Sequence, residues 1–137
     1  MSQLSSVPTS PAAFSPAAIT EAEAAAMFRA AVNLFRVWGL TDEDAAVLLD
    51  QPVRSYRRWK AGEIGRIDRD ARARLSNLMG IHKALRLIFR EPQRGYAWIK
   101  AGNEAFGGKS ALDVMLCGEL TDLMRVRRYL DAERGLW

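Results

Sequence analysis

Cysteine and histidine are almost absent from this chain of 137 residues, which contains one of each, Cys117 and His82. A single cysteine cannot close a disulfide within the chain, and the two residues together fall short of the ligand set of a zinc site. The sequence also offers no convincing phosphate loop and no nucleophile with a base. We therefore expect no metal, no cofactor and no enzymatic activity. We interpret His82 as a hydrogen-bonded core or interface residue and Cys117 as a small buried residue.

Long hydrophobic runs are missing as well. The first ten residues carry neither a basic segment nor a continuous apolar one, and no later stretch approaches the roughly 18 uncharged apolar residues that a membrane span needs. Apolar residues make up 49% of the chain and charged residues 26%, which is the balance of a folded globular protein. We expect a cytoplasmic protein with no membrane contact, folded as one domain or as two small modules that share a core.

Alternation of apolar and polar residues, the pattern of a half-buried strand, does not recur over a useful length, and no internal repeat is visible. The predicted fold class is therefore all-α. Residues 1–19 are rich in Ser, Pro and Ala and are predicted to form a flexible arm. Cap residues, glycines and apolar spacing predict helices at about residues 20–38, 41–50, 52–62, 68–89, 94–100, 111–117 and 120–134, with a loop over 101–109.

The helix predicted over residues 68–89 has the clearest amphipathic pattern of the chain. Steps of four and three residues predict an inward stripe, and we expect this helix to form the backbone of the core. Gly80 is predicted to kink the helix or to break it, and the sequence does not decide which. The stripe consists of Ala71, Leu75, Leu78, His82, Leu85 and Phe89.

Positive charge is concentrated in one segment of the chain. Residues 54–74 contain eight basic and three acidic side chains, a local excess of five, whereas residues 1–40 and 91–137 are each balanced. A cluster of this kind is typical of a phosphate-binding surface, because each neutralised phosphate releases counterions. The alternative interpretation is a solvated helix face without a ligand.

The predicted second and third helices are joined by only a few residues, which is typical of a helix-turn-helix. On the third helix Tyr56 and Trp59 share one side, with Val53 near its edge, and the arginines share the other. The aromatic side is expected to pack on the second helix, leaving the arginines free to bind guanine or phosphate in a bidentate manner. The predicted DNA-binding residues are Gln51, Arg54, Ser55, Arg57, Arg58, Lys60 and Arg66, with Lys60 and Arg66 expected to meet phosphates.

Two stretches of the chain carry a family resemblance. TDEDAAVLLDQPVRSYRRWKAGE, with Ala46 at the small position of its first helix and Gly62 after its second, resembles an Xre-type helix-turn-helix. It departs from that pattern at Asp50, where glycine is usual, and at Pro52, where serine or threonine is usual. KALRLIF, GYAWIKAGNEAFGGKSALDVMLCGE and the closing helix resemble the toxin-binding domain of MbcA/ParS/Xre antitoxins. Trp98, the spacing of Asn103, Phe106 and Gly107, Ser110 and the final Gly135 carry this second resemblance.

After the arm of residues 1–19, the resemblance implies a helix-turn-helix domain (20–80) and a toxin-binding domain (81–137). It implies a type II antitoxin that represses its own operon by binding double-stranded operator DNA. We expect a homodimer, because one short recognition helix seldom gives sufficient affinity and a two-fold operator calls for a two-fold protein. The implied partner is a RES-domain toxin that degrades NAD or transfers ADP-ribose, and that is silenced when C-terminal residues of the antitoxin cover its active site. The implied toxin-binding residues are Asn103, Phe106, Lys109, Arg134, Gly135, Leu136 and Trp137.

Other interpretations of these features stay open on the sequence alone. The glycine-rich loop also fits a tight interhelical turn anchored by Phe106. Trp137 fits an interface anchor, and equally a ring folded back on its own helix or on a dimer mate. The whole chain also fits a stand-alone transcription regulator whose C-terminal half only dimerises, or a protein-binding module whose helix-turn-helix no longer contacts DNA.

Overall fold

The structure is a computed structural model that describes residues 18–135, and within this range it is entirely helical, which confirms the predicted fold class. None of the helices in that range is long and apolar enough to cross a membrane. The helices are α1 (Glu21–Val37), α2 (Asp42–Leu49), α3 (Val53–Lys60), α4 (Arg69–Ile88), α5 (Pro92–Lys100), a 3₁₀ helix (Glu104–Phe106), α6 (Ala111–Met115) and α7 (Leu120–Glu133).

The helix starts follow the predicted caps. The Thr20 hydroxyl accepts a hydrogen bond from the Glu23 amide at 3.1 Å, and the Glu23 carboxylate accepts one from the Thr20 amide at 2.9 Å. The bond from the Thr20 amide, followed by the Thr20 hydroxyl, lowers the pKa of the Glu23 carboxyl. Ser110 and Asp113 form the same pair of bonds at the start of α6, whereas Thr41 caps α2 only by accepting a hydrogen bond from the Asp44 amide. Each cap satisfies backbone donors that a helix terminus otherwise leaves without a partner.

Helix α4 is the central helix of the structure. It packs against α1, α2, α5 and α7, with its most extensive contacts to α7. It runs through Gly80 as one continuous helix, so Gly80 does not break it. A Cβ atom at Gly80 would collide with the guanidinium of Arg127 on α7. The space beside Gly80 is therefore occupied by the flexible end of an α7 side chain, which a larger residue would displace. The sequence boundary predicted at residues 80/81 lies inside this continuous helix.

The buried face of α4 differs from the predicted stripe. Arg74, Ile81 and Ala84 are buried, whereas His82 and Phe89 are only half-buried. The reason is that α4 is covered from more than one side, so positions three residues after Ala71 and Leu78 face the core. Counting in steps of four therefore placed His82 one residue away from the buried position, and the prediction that His82 belongs to the central stripe is wrong.

The C-terminal helices are joined by tight turns. In the loop before α6, Gly102 and Ser110 form an antiparallel bridge, and Gly107 and Gly108 adopt positive φ angles of 66° and 89°. Cys117 follows α6 and is exposed, so its predicted burial is wrong. Helix α6 ends at Met115, and Val114 and Met115 fill the core positions, which turns the next side chains outward.

Candidate nucleic-acid and partner interfaces

The turn between α2 and α3 has helix-turn-helix geometry despite its two unusual residues. Asp50 adopts the left-handed conformation, with φ 50° and ψ 50°, at the position where glycine is usual. Aspartate tolerates this conformation better than most residues, because its short side chain is compact and polar. Pro52 precedes the first turn of α3 with φ −58° and ψ 140° and makes no side-chain cap. The turn therefore keeps its shape at some cost in backbone strain.

Helix α3 separates its side chains as predicted. Tyr56 and Trp59 are 2% and 5% exposed, and both rings meet Phe28 of α1 edge to face, at centroid distances of 5.8 and 5.6 Å. Burial, together with the charge of Asp42, raises the pKa of Tyr56 to about 12. These contacts fix the rotation of α3 about its axis, so the opposite side of the helix faces solvent.

The basic side chains of α3 fall into two groups. Arg54 and Arg58 are exposed and form no ion pair within the described range, as predicted. Arg57 binds Asp42 at 3.2 Å and Glu43 at 2.7 Å. The expectation that all three arginines are free is therefore wrong for Arg57.

Lys60 shares the same acidic partner, since its ammonium lies 2.9 Å from the carboxylate of Asp42. The hydrogen bond from Lys60, assisted by Arg57, holds the pKa of Asp42 below its usual value. The hydrogen bond to Asp42, with the charge of Glu43, raises the pKa of Arg57. Of the other predicted DNA contacts, Gln51 and Ser55 are half-buried at the start of α3, and Arg66 is exposed in the link to α4. All seven remain predictions as DNA-binding residues.

Two arginines of the basic segment form hydrogen bonds to backbone carbonyls within the fold. Arg72 donates to the carbonyls of Ile67 and Ile19, at 2.8 and 2.7 Å. Arg74 is 4% exposed and donates to the carbonyls of Leu48, at 3.2 Å, and Gly118, at 2.8 Å. The surface charge of this segment is therefore smaller than its sequence suggests.

Arg74 is the residue whose importance sequence reasoning missed. Its Nε donates to the Asp70 carboxylate at 2.8 Å, and its Nη1 joins the end of α2 to the turn before α7. The Asp70–Arg74 spacing is typical of an exposed pair on a helix, so no residue pattern indicates that this arginine is buried.

The predicted toxin-binding residues of the loop have local structural roles. The Asn103 side chain accepts a hydrogen bond from the Ala105 amide at 2.9 Å and caps the 3₁₀ helix. Phe106 is 4% exposed and meets the ring of Tyr129 at a centroid distance of 5.3 Å. Lys109 is exposed. The alternative of a tight interhelical turn thus accounts for Asn103 and Phe106, and their part in toxin binding remains a prediction.

At the end of α7, Arg134 lies 3.5 Å from the Asp131 carboxylate, and Gly135 takes a positive φ of 78°. Leu136 and Trp137 lie outside the described residues.

Residues 18–135 contain no group of three or more His, Cys, Asp or Glu side chains that could hold a metal ion.

The fold defines the class of the protein: a helix-turn-helix domain joined to a small helical domain through a shared long helix. Residues 17–80 match the antitoxin Xre-like helix-turn-helix domain, and residues 84–135 match the antitoxin Xre/MbcA/ParS C-terminal toxin-binding domain. The chain therefore belongs to the Xre/MbcA/ParS antitoxin family, and it is the antitoxin of a toxin–antitoxin system.

Two individual proteins show the same similarity. The uncharacterized protein y4oB of Sinorhizobium fredii is 43% identical over 122 residues, which cover 88% of this chain and 91% of that protein. A chain in the crystal structure of the M. tuberculosis MbcT–MbcA toxin–antitoxin complex is 23% identical. The match covers 82% of this chain and 96% of that one with a TM-score of 0.53. At this level of identity the second match supports the fold alone.

Proposed function

We propose that this antitoxin represses its own operon by placing α3 in the major groove of operator DNA. The observation that carries the proposal is that Arg54 and Arg58 are exposed and unpaired on α3, while Tyr56 and Trp59 hold the helix from the other side. A free guanidinium binds guanine O6 and N7, or a phosphate, with two parallel hydrogen bonds. The rigid ring contacts reduce the freedom lost on binding.

Arg57 and Lys60 have a different role in this proposal. Their partners Asp42 and Glu43 hold them at the edge of the DNA-facing side, where phosphates would compete with the carboxylates for the same donors. These pairs are exposed, and exposed pairs contribute only about 0–1 kcal/mol, so exchange of partners is inexpensive. A homodimer would present two α3 helices to successive major grooves of a two-fold operator in the cytoplasm.

The DNA proposal is tested by fluorescence anisotropy with a labelled duplex from upstream of the operon, titrated at several salt concentrations. Arg54→Ala with Arg58→Ala should weaken binding and lower the slope of log K against log salt by about 0.9 for each lost phosphate contact. Loss of a base contact should instead reduce the difference in binding free energy between the operator and other sequences, by about 1–3 kcal/mol for each contact. The control is Arg29→Ala with Arg36→Ala, which removes equal charge from the exposed face of α1. Equal effects of the two double variants would contradict the proposal.

We further propose that the partner is a RES-domain toxin that consumes NAD, and that C-terminal residues of the antitoxin cover its active site. The support is the family of residues 84–135, together with the position of Arg134 and Gly135 at the end of α7. Expression of the adjacent reading frame should arrest growth and deplete NAD, and co-expression of this chain should restore both. Removal of Leu136 and Trp137 should abolish rescue without preventing expression. A harmless neighbour would contradict the RES proposal, and full rescue by the shortened chain would contradict active-site covering.

A further inference from the structure

The outward side of α7 lies beside the loop before α6, which carries the predicted toxin-binding residue Phe106, and the arginines of this surface have no role in the previous sections. Arg125 places its guanidinium carbon 5.3 Å from the centroid of the Phe106 ring and donates to the Ala105 carbonyl at 3.4 Å. Arg128 lies one turn further along α7. The two arginines line a shallow groove with Phe106 and Tyr129. We call these four residues, with Trp98, the aromatic–arginine patch.

The rings of the patch are held in fixed positions. Trp98 stacks on Tyr129 with an interplanar angle of 10° and a centroid distance of 6.1 Å. Phe106 meets both rings edge to face, at 5.3 Å from Tyr129 and 6.5 Å from Trp98. Trp98 and Tyr129 are only half-buried, so part of the cluster reaches the surface. A rigid, partly exposed ring cluster needs little ordering when a partner binds, which favours affinity.

The charges of the patch are not neutralised within the described part of the chain. The other two arginines of α7, Arg127 and Arg134, both pair with Asp131, at 3.8 and 3.5 Å. No carboxylate lies within ion-pair distance of Arg125 or Arg128 among residues 18–135. The patch therefore presents two guanidinium groups that have no carboxylate partner in this range, beside aromatic rings.

This arrangement differs from the side of α3 assigned to DNA. On α3 the rings are buried and only the cations face outward, which suits the charged backbone of a nucleic acid. On α7 exposed cations and exposed ring surface lie together. Trp, Tyr and Arg are the residues most enriched among the energetic anchors of protein–protein interfaces.

We propose that the aromatic–arginine patch is the docking surface for an acidic face of the toxin. Carboxylates of the toxin would accept hydrogen bonds from Arg125 and Arg128, and apolar side chains between them would cover the exposed part of the Tyr129 ring. The proposal rests on the proposed function, since it specifies where the toxin of that proposal binds. It adds a contact distinct from the chain terminus, which is expected to cover the active site.

The test uses the full-length antitoxin and the toxin of the adjacent reading frame, purified separately, with the toxin made inactive by mutation if necessary. Arg125→Ala with Arg128→Ala should raise the Kd about 10- to 100-fold, and Arg125→Glu with Arg128→Glu should raise it further. The salt dependence of Kd should fall in the alanine variant, because fewer charges pair across the interface. Arg29→Ala with Arg36→Ala serves as the charge-matched control. Circular dichroism and urea unfolding should show that each variant is folded, and Tyr129→Phe gives a second patch variant that keeps the ring stack.

The outcomes separate this proposal from the one on which it depends. If the wild-type chain does not bind the toxin, both proposals are overturned. If the wild-type chain binds and the Arg125 and Arg128 variants bind equally well, the docking surface alone is overturned. If those variants lose DNA affinity instead of toxin affinity, the patch is a nucleic-acid contact and the proposal is again overturned.

Discussion

Replacing Arg74 by methionine is the substitution whose consequence follows most directly from the structure. Methionine has a long side chain and a helix propensity similar to that of arginine, but it removes every hydrogen-bond donor of the Arg74 side chain. The carbonyls of Leu48 and Gly118 then lose their bonds of 3.2 and 2.8 Å, and the Asp70 carboxylate loses one of 2.8 Å. Asp70 is largely exposed, so water replaces that last partner. The cost therefore comes from the two carbonyls.

The size of the effect depends on how well water reaches each carbonyl. A buried polar group left without a partner costs about 1–3 kcal/mol. The Leu48 carbonyl is enclosed, whereas Gly118 is half-buried, so we expect about 2 kcal/mol from the first and about 1 kcal/mol from the second. A total of about 3 kcal/mol corresponds to a shift of about 2 M in the urea midpoint, at an m-value of about 1.5 kcal/mol/M.

The assay is equilibrium unfolding in urea followed by circular dichroism and by tryptophan fluorescence. Arg69→Met, on the exposed side of the same helix, is the matched control and should change stability by no more than about 0.5 kcal/mol. Arg74→Lys should fall between the two, because an ammonium has fewer donors and a shorter reach than a guanidinium. If Arg74→Met unfolds at the same urea concentration as Arg69→Met, the two carbonyl bonds contribute nothing and the reasoning is refuted.

Three further predictions concern other positions. Burial, followed by the charge of Arg86, lowers the pKa of His82, so its neutral form favours folding. The contribution of neutral His82 to the free energy of unfolding is complete above the pKa of histidine in the unfolded chain, about 6.5, and it falls as the pH drops below that value. Urea midpoints should therefore fall less for His82→Gln than for wild type between pH 7.5 and 5.5, and equal falls would contradict this. Asp50→Gly should be about 1 kcal/mol more stable than Asp50→Ala, because only glycine adopts φ 50° without strain; equal melting temperatures would argue against it. Gly80→Ala should add about 1 kcal/mol in an Arg127→Ala background and less in wild type, and a double-mutant cycle without coupling would show that Arg127 does not explain the glycine.

Local signals in the sequence were sufficient to predict much of the fold. Helix starts were predicted correctly at Thr20, Thr41 and Ser110, because a cap depends on residues three positions apart. The two faces of α3 were predictable for the same reason, since a helical period of 3.6 residues places Tyr56 and Trp59 together. These features depend on neighbours along the chain.

The features that could not be predicted depend on partners distant in sequence. Arg57 pairs with carboxylates that precede it by 14 and 15 residues, and Arg74 donates to carbonyls 26 and 44 residues away. A backbone carbonyl leaves no trace in the residue types, so neither contact of Arg74 is visible in the sequence. The aromatic–arginine patch likewise joins Trp98 of α5 to Tyr129 of α7, two helices that are separated in sequence by the glycine-rich loop and α6.

The continuity of α4 has a consequence for dissecting this protein. The two family matches meet between residues 80 and 84, within a helix that packs against α1, α2, α5 and α7. A fragment cut there would expose the apolar side of α4 in either half, so neither piece is suited to isolated expression. Chimeras that exchange partner specificity should be joined in the turns flanking α7, and one residue inserted into α4 would rotate the two ends by about 100° relative to each other.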